Sequence, residues 1–321
     1  MQLKQPFVRL PFLFDANRLQ DEIASIAPGD WLAHPSGMKG NAAAPLISHQ
    51  GQANDEFHGH MQLTPIIEQR PYLRQVMASF NEVLGRSRLM RLAPGSEVSQ
   101  HVDFNYHWFN RVRIHVPITT QPSVTFFCGD EQIHMQAGSS WIFDSWRRHR
   151  VVNAGDAERV HLVIDTAGSS NFWRTVEREI RKPSEPELLD YDPAWQGQIR
   201  TERFNTPPVM APGEVDYLVL NLIDDFSSFP DNNQQTTSKY IELLHDFRHD
   251  WRSVWYQYGI GSEGFDSYQQ LIQRLVQGLD SNPRALIVSS NQVGVNPIIM
   301  QRIVRAVFQP ALLEEFMATD S

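Results

Sequence analysis

Glu158-Arg-Val-His-Leu-Val-Ile-Asp165 is the stretch that decides the fold class. Polar and apolar residues alternate along it, so an extended chain puts Arg159 and His161 on one face and Val160, Leu162 and Ile164 on the other. Arg111-Val-Arg-Ile-His-Val-Pro117 repeats the pattern, with Arg111, Arg113 and His115 opposite Val112, Ile114 and Val116. Two strands with aliphatic outer faces and cationic inner faces make a poor core, because buried charge is costly, but a sensible pocket for an anion. Around them, short segments are cut by turn residues at Ala93-Pro-Gly-Ser96, Gly129-Asp130 and Asn153-Ala-Gly155. Short strands punctuated in this way fit a barrel or jelly roll.

Upstream of this strand lie His101-Val-Asp103 and, 48 residues after His101, His149. Residues i and i+2 of a strand project to the same side, so His101 and Asp103 can grip one ion if the segment is extended. Two imidazoles and one carboxylate hold non-haem iron(II) on one face and leave positions open for an oxoacid and for dioxygen. His149 must then arrive on another strand, and the separation suits a route out through a hairpin or two and back across a small barrel. Arg159, ten residues after His149, offers a planar guanidinium suited to the distal carboxylate of 2-oxoglutarate.

The ordered segments RLAPGSEVSQHVD, NRVRIHVPI, IHMQAGSSWIFD, HRVVNAG and ERVHLVID, from roughly Arg91 to Asp165, resemble the aspartyl/asparaginyl β-hydroxylase family of 2-oxoglutarate dioxygenases. Within it they look most like the bacterial free-amino-acid branch exemplified by proline cis-4-hydroxylase. The resemblance implies a mainly β fold with helices, built on a double-stranded β-helix (jelly roll, cupin-like) core. It implies His101, Asp103 and His149 as catalytic iron ligands, Arg159 on 2-oxoglutarate, and Arg113 and His115 beside that cosubstrate. The implied reagents are Fe(II), 2-oxoglutarate and O2. The animal peptidyl hydroxylases that name the family lack the acidic ligand, whereas this chain has Asp103. The expected reaction is therefore hydroxylation of a C–H bond in a small-molecule substrate, an amino acid or its derivative. A peptidyl aspartyl/asparaginyl β-hydroxylase and a non-catalytic cupin-like metal- or ligand-binding module are the alternatives.

Plainer readings stand beside these. A His-x-Asp pair alone also describes a surface strand with two hydrogen-bonding side chains. Arg159 can be a salt-bridge partner of Asp165, and His115 and His161 can be buried, hydrogen-bonded histidines. Arg147, Arg148 and Arg150 read first as a solvated loop. Asn105, Tyr106 and Trp108 follow the ligand pair and offer polar groups to a substrate, or form an ordinary capping loop. His245 and His249, four apart, have the spacing for zinc on one helix face. Leu243, Leu244, Phe247, Trp251, Val254 and Trp255 explain that helix better as packing. His58-Gly-His60 reads as a loop.

The 321 residues suffice for a sizeable core with a smaller appended unit. Three regions are expected: 1–180 as the β-helix domain, 181–213 as a proline-rich connector, and 214–321 as a C-terminal α-helical region. A net charge of −9 without a long basic run argues against nucleic acid. The lone Cys128 precludes an intrachain disulfide. No stretch reads as a membrane span and the N-terminus lacks a signal-peptide pattern, so no membrane partner and a cytoplasmic location are expected. The C-terminal helices offer a face for a homodimer. Within the first region, a strand is expected at Phe7–Phe14, helices near Asp15 to Ile26 and Pro71 to Leu84, and loops or irregular strands over residues 30 to 65. Further on, helices are expected near Thr237 to Tyr258, Ser267 to Gly278 and Pro297 to Phe308.

Overall fold

The computed structural model describes residues 1–33, 37 and 40–319. The chain divides into two compact units, one made of Met1–Asp103 with Asn110–Asn205, the other of Phe104–Phe109 with Thr206 onward. In the first unit the strands are, in order, β1 (Phe7–Phe14), β2 (Leu32–Ala33), β3 (Asn41–His49), β4 (Met61–Leu63), β5 (Val83–Leu92), β6 (Glu97–His101) and β7 (Val112–Thr119). They continue as β8 (Val124–Cys128), β9 (Glu131–Ile133), β10 (Ser139–Phe143), β11 (His149–Asn153), β12 (Arg159–Thr166), β13 (Glu187–Leu189) and β14 (Arg200–Thr201).

The larger sheet runs β13-β1-β10-β7-β12-β5-β3-β2, with β4 on β3 and β14 on β5. The smaller runs β6-β11-β8-β9. Pairing is antiparallel except where β13 meets β1 and β14 meets β5. This is the double-stranded β-helix, and the alternation of β7 and β12 explains how it is laid down. Val112, Ile114, Val116 and Ile118 join Val160, Leu162 and Ile164 in one core with Leu19, Leu73, Val76, Phe172 and Val176 from flanking helices. A second apolar cluster, Phe7, Leu92, Val124, Phe126, Cys128, Phe143 and Val151, draws on strands of both sheets. The polar inner face of the larger sheet is thus free to build a site.

Local signals act as chemistry requires. Asp15 caps the helix Ala16–Ala24 by accepting from the amides of Asn17 and Arg18. The helix expected from Pro71 to Leu84 stops at Ser79. Asn81 turns to a left-handed φ of 52°, and the chain leaves as β5 at Val83. The stretch 30–65, expected as loops or irregular strands, contains the nine-residue β3, paired with β5 along Asn41↔Leu92 to Ile47↔Ser87. Its Ala42-Ala-Ala-Pro45 carries no polar alternation, so cross-strand pairing makes the strand. Residues 34–36 and 38–39 of that stretch lie outside the described residues. The proline-rich stretch contributes β13 and β14 to the larger sheet, and the division between units falls at Asn205, inside it.

The second unit is helical, with Pro212–Ser227, Gln234–Tyr258 and Phe265–Gly278 around Leu218, Leu222, Leu244, Trp251, Tyr268 and Leu271. Trp251 is fully buried and its indole donates to Met210 O at 2.9 Å. The last expected helix is a short α-turn, Val295–Ile298, continuing as a π-turn over Ile299–Val304. Among the described residues no helix is long and apolar enough to cross a membrane.

Candidate metal centre

β6 and β11 are antiparallel neighbours, and their register places His101 directly opposite His149. The intervening residues supply β7 through β10, so a 48-residue detour returns the second histidine to the first. β6 ends at His101, and Asp103 lies just beyond it, its amide donating to Ser145 O at 3.0 Å. The ligand pair therefore meets at the end of a strand rather than on one continuous extended face. His101 Nε2 lies 3.8 Å from Asp103 Oδ1, and His149 Nε2 lies 3.8 Å from Oδ2. The three ligand atoms all fall within 4.8 Å of one another, the one such group of three among the described residues. Two atoms bonded to one ion at about 2.1 Å sit up to ~4.2 Å apart, so slight contraction closes the set.

Both rings are oriented from behind. His101 Nδ1 contacts Ser99 O at 2.8 Å and His149 Nδ1 contacts Arg147 O at 2.9 Å. A carbonyl accepts, so Nδ1 carries the proton and the lone pair sits on Nε2, toward Asp103. His149 is held neutral: burial pushes it down to about 4, against the attraction of Asp103. Asp103 Oδ2 is buried without a hydrogen bond. Two imidazole Nε2 atoms and an unsolvated carboxylate oxygen are a donor set that fits a divalent transition metal. Phe143 packs 4.9 Å from the His149 ring and keeps that side dry. Cys128, opposite His149 on β8, donates to Asp144 O at 3.3 Å, and burial raises its thiol to about 12.

On the larger sheet, β12 lies beside β7 with Val163↔His115 and Asp165↔Arg113 in register, which brings the two cationic faces together. Arg159 is 4 % exposed, and its Nη2 contacts His161 Nδ1 at 2.7 Å. Guanidinium donates, so His161 accepts there; His161 Nδ1 is also 3.4 Å from His115 Nδ1. Arg159 Nε, His115 Nε2 and His161 Nε2 are buried without hydrogen bonds. Burial, with Arg113 as a like charge, lowers Arg159 to about 9, and no carboxylate among the described residues offsets it. The alternative pairing of Arg159 with Asp165 does not form. Asp165 goes to Arg113 at 3.4 Å and to Arg86 at 3.7 Å.

Other expected groups fall elsewhere. Arg111 precedes β7 and pairs with Glu202 at 2.7 and 3.0 Å, away from the shared face. Arg147 pairs with Asp144, and Arg150 stacks on Phe127. Asn105 caps the amide of Trp108 at 3.1 Å at the start of a short helix, Tyr106–Asn110, in which Tyr106 and Trp108 are buried. Phe104–Phe109 clusters with the helical unit. His245 Nδ1 accepts from Arg248 Nε at 2.9 Å, and the His245 and His249 rings lie 6.2 Å apart. Sequence reasoning missed Arg86, Arg88 and Asp55. Arg86 and Arg88 alternate on β5 just as Arg111, Arg113 and His115 do, and that signal was legible. Asp55 sits between β3 and β4 with no pattern around it and meets both arginines.

Residues 45–168 match the family model described as aspartyl/asparaginyl beta-hydroxylase. Among solved structures, a 2OG-Fe(II) oxygenase family oxidoreductase from Burkholderia pseudomallei is 15% identical, with 51% of this chain and 85% of that chain covered at a TM-score of 0.37. A Pseudomonas putida prolyl-4-hydroxylase is 16% identical, with 51% and 92% covered at 0.34. A cupin domain from Bordetella pertussis is 23% identical, with 25% and 79% covered at 0.21. At such scores the superpositions carry no argument about chemistry. Over residues 45–168, the chain is similar to the aspartyl/asparaginyl β-hydroxylase family.

Proposed function

We propose that the protein is an iron(II)- and 2-oxoglutarate-dependent dioxygenase that hydroxylates a C–H bond of an amino acid or a small derivative. The observation that carries this is Arg159, a buried guanidinium with no carboxylate partner among the described residues, on the strand beside His115. A cation in that position is costly unless an anion joins it. His101, Asp103 and His149 would hold the metal, their Nε2 and carboxylate oxygens being the atoms left facing one another. Arg159 would bind the distal carboxylate of 2-oxoglutarate, with Arg113 and His115 beside it. Bound iron(II), 2-oxoglutarate and dioxygen together supply oxidation of a C–H bond, with the oxoacid leaving as succinate and carbon dioxide.

The chain's own residues orient and exclude. His161 fixes Arg159 from behind, while Ser99 O and Arg147 O fix the two ligand rings. Phe126 and Phe143 pack edge-on to His115 and keep water from that side. The test is succinate formation from 2-oxoglutarate with iron(II), ascorbate and oxygen. Wild type should turn over, His149→Ala should not, and Arg159→Ala should bind 2-oxoglutarate at least about tenfold more weakly, as expected for loss of charge-assisted bonds. A wild-type protein that neither binds nor consumes 2-oxoglutarate sinks the reading, and metal binding without turnover favours the cupin-like module.

A further inference from the structure

Among the described residues, four guanidiniums and three carboxylates meet around the inner face of the larger sheet. They are Arg86, Arg88, Arg113 and Arg159 against Asp55, Asp103 and Asp165. The carboxylates are shared: Asp55 lies between Arg86, at 2.7 Å, and Arg88, while Asp165 lies between Arg86 and Arg113. Asp103 faces the two histidines. Arg88 is 7% exposed, and its hydrogen bond runs from Nη1 to Asp55 Oδ1, one of the five N–H donors its guanidinium owns. A divalent metal ion and the dianion of 2-oxoglutarate, taken here from the dioxygenase reading on which this inference rests, cancel each other. One positive charge is left over in a buried setting, where an uncompensated ion is expensive. Burial first, and the neighbouring Arg86 second, lower Arg88 to about 9.

We propose that the substrate is a small carboxylic acid of net charge minus one, and that Arg88 is the specificity-determining residue that binds its carboxylate. Asp55 demonstrates that a carboxylate fits against this guanidinium, and the planar fork has donors left for a second. A neutral zwitterion brings an ammonium with its carboxylate and leaves the surplus in place. An acidic amino acid, or an acid with its amine blocked, removes it. Shape alone does not separate an acid from its amide, so the discrimination is electrostatic.

Two probe pairs of nearly equal shape read this directly: L-aspartate against L-asparagine, and L-glutamate against L-glutamine. Binding is measured without oxygen on the full chain loaded with Mn(II) and 2-oxoglutarate. In at least one pair the acid should bind about tenfold or more tightly than the amide, the size expected for a charge-assisted pair. Arg88→Gln should bring the ratio to within about twofold, and Arg88→Lys should keep part of it. Asp55→Asn, which removes a competing anion, should widen it. Retained 2-oxoglutarate binding by Arg88→Gln shows that the variant is folded; if it is not, Arg88→Lys and Asp55→Asn carry the test. Equal binding of acid and amide, no binding of either acid, or a preference unchanged by all three substitutions overturns the proposal. If wild type binds neither Mn(II) nor 2-oxoglutarate, the dioxygenase reading fails instead, and the acid-to-amide ratio on the metal-free protein still reports on Arg88.

Discussion

At the scale of single residues, the geometry around Arg159 is set by His161. Its Nδ1 receives the Arg159 donor at 2.7 Å, and among the described residues neither group has a carboxylate to fall back on. His161→Leu should leave a buried donor unsatisfied, at a cost of about 1–3 kcal/mol. Its reading in an assay is a rise in KM for 2-oxoglutarate of about tenfold with kcat little changed, and an unchanged KM would show that Arg159 holds its place alone. The buried histidines also make stability depend on pH. His115, His149 and His161 are all lowered, chiefly by burial, His149 from 6.5 to about 4. In the unfolded chain they take up protons below about 6.5, and in the folded chain only at lower pH, so stability is full above that value and declines as pH falls toward 4. His149 alone accounts for up to about 3 kcal/mol across this window. Urea unfolding of the metal-free protein at pH 7.5 and pH 5 should show the loss, with a shallower slope in His161→Leu. Equal midpoints at the two pH values contradict it.

At the scale of elements, two corners hold strands around the ligands, one at the end of β11 and one before β10. Asn153 ends β11, is fully buried, and donates to the carbonyls of Leu92, Ala93 and Ala157 at 2.9–3.1 Å while accepting from Gly155 N. It ties the strand of His149 to the chain leaving β5. Asn153→Ala strands several buried carbonyls and should cost about 2–3 kcal/mol, read as a lowered unfolding midpoint. Gly138, at φ 78°, lets the turn before β10 pass Phe14 so closely that a Cβ would stand 2.2 Å from its carbonyl oxygen. Gly138→Ala should therefore destabilise by about 2 kcal/mol or more, since both conformation and space oppose it. Wild-type stability in that variant would mean that the turn can be rebuilt. The alternation of β7 and β12 was readable from sequence because a period of two is a covalent property of extended chain. β3 was not, since Ala42-Ala-Ala-Pro45 owes its place to β5.

At the scale of the whole molecule, metal and cosubstrate are expected to act as part of the fold's stability. A ligand that binds only the folded state adds about 2.7 kcal/mol at a hundred times its dissociation constant. Mn(II) with 2-oxoglutarate should raise the unfolding temperature of wild type, and His149→Ala should remove most of that gain. A gain of equal size in the variant would place the metal elsewhere. The division of the chain was only partly legible. Prolines between residues 181 and 213 mark a change of character, yet β13 and β14 within that stretch pair with β1 and β5. Short pieces of two and three residues carry too little periodicity to be read without their partners.

The sequence by itself determined the inventory of the proposed site: His101, Asp103, His149 and Arg159 as candidates, and the strand faces on which Arg113, His115 and His161 lie. These follow from residue chemistry and from a two-residue repeat, both local. Only the tertiary structure decided which groups meet. It set His149 opposite His101, sent Asp165 to Arg113 and Arg86, and thereby left Arg159 without a carboxylate among the described residues. It also gathered Arg86, Arg88 and Asp55 around the same face. Pairing between strands distant in sequence depends on which edges pack against one another, and no local pattern encodes that choice.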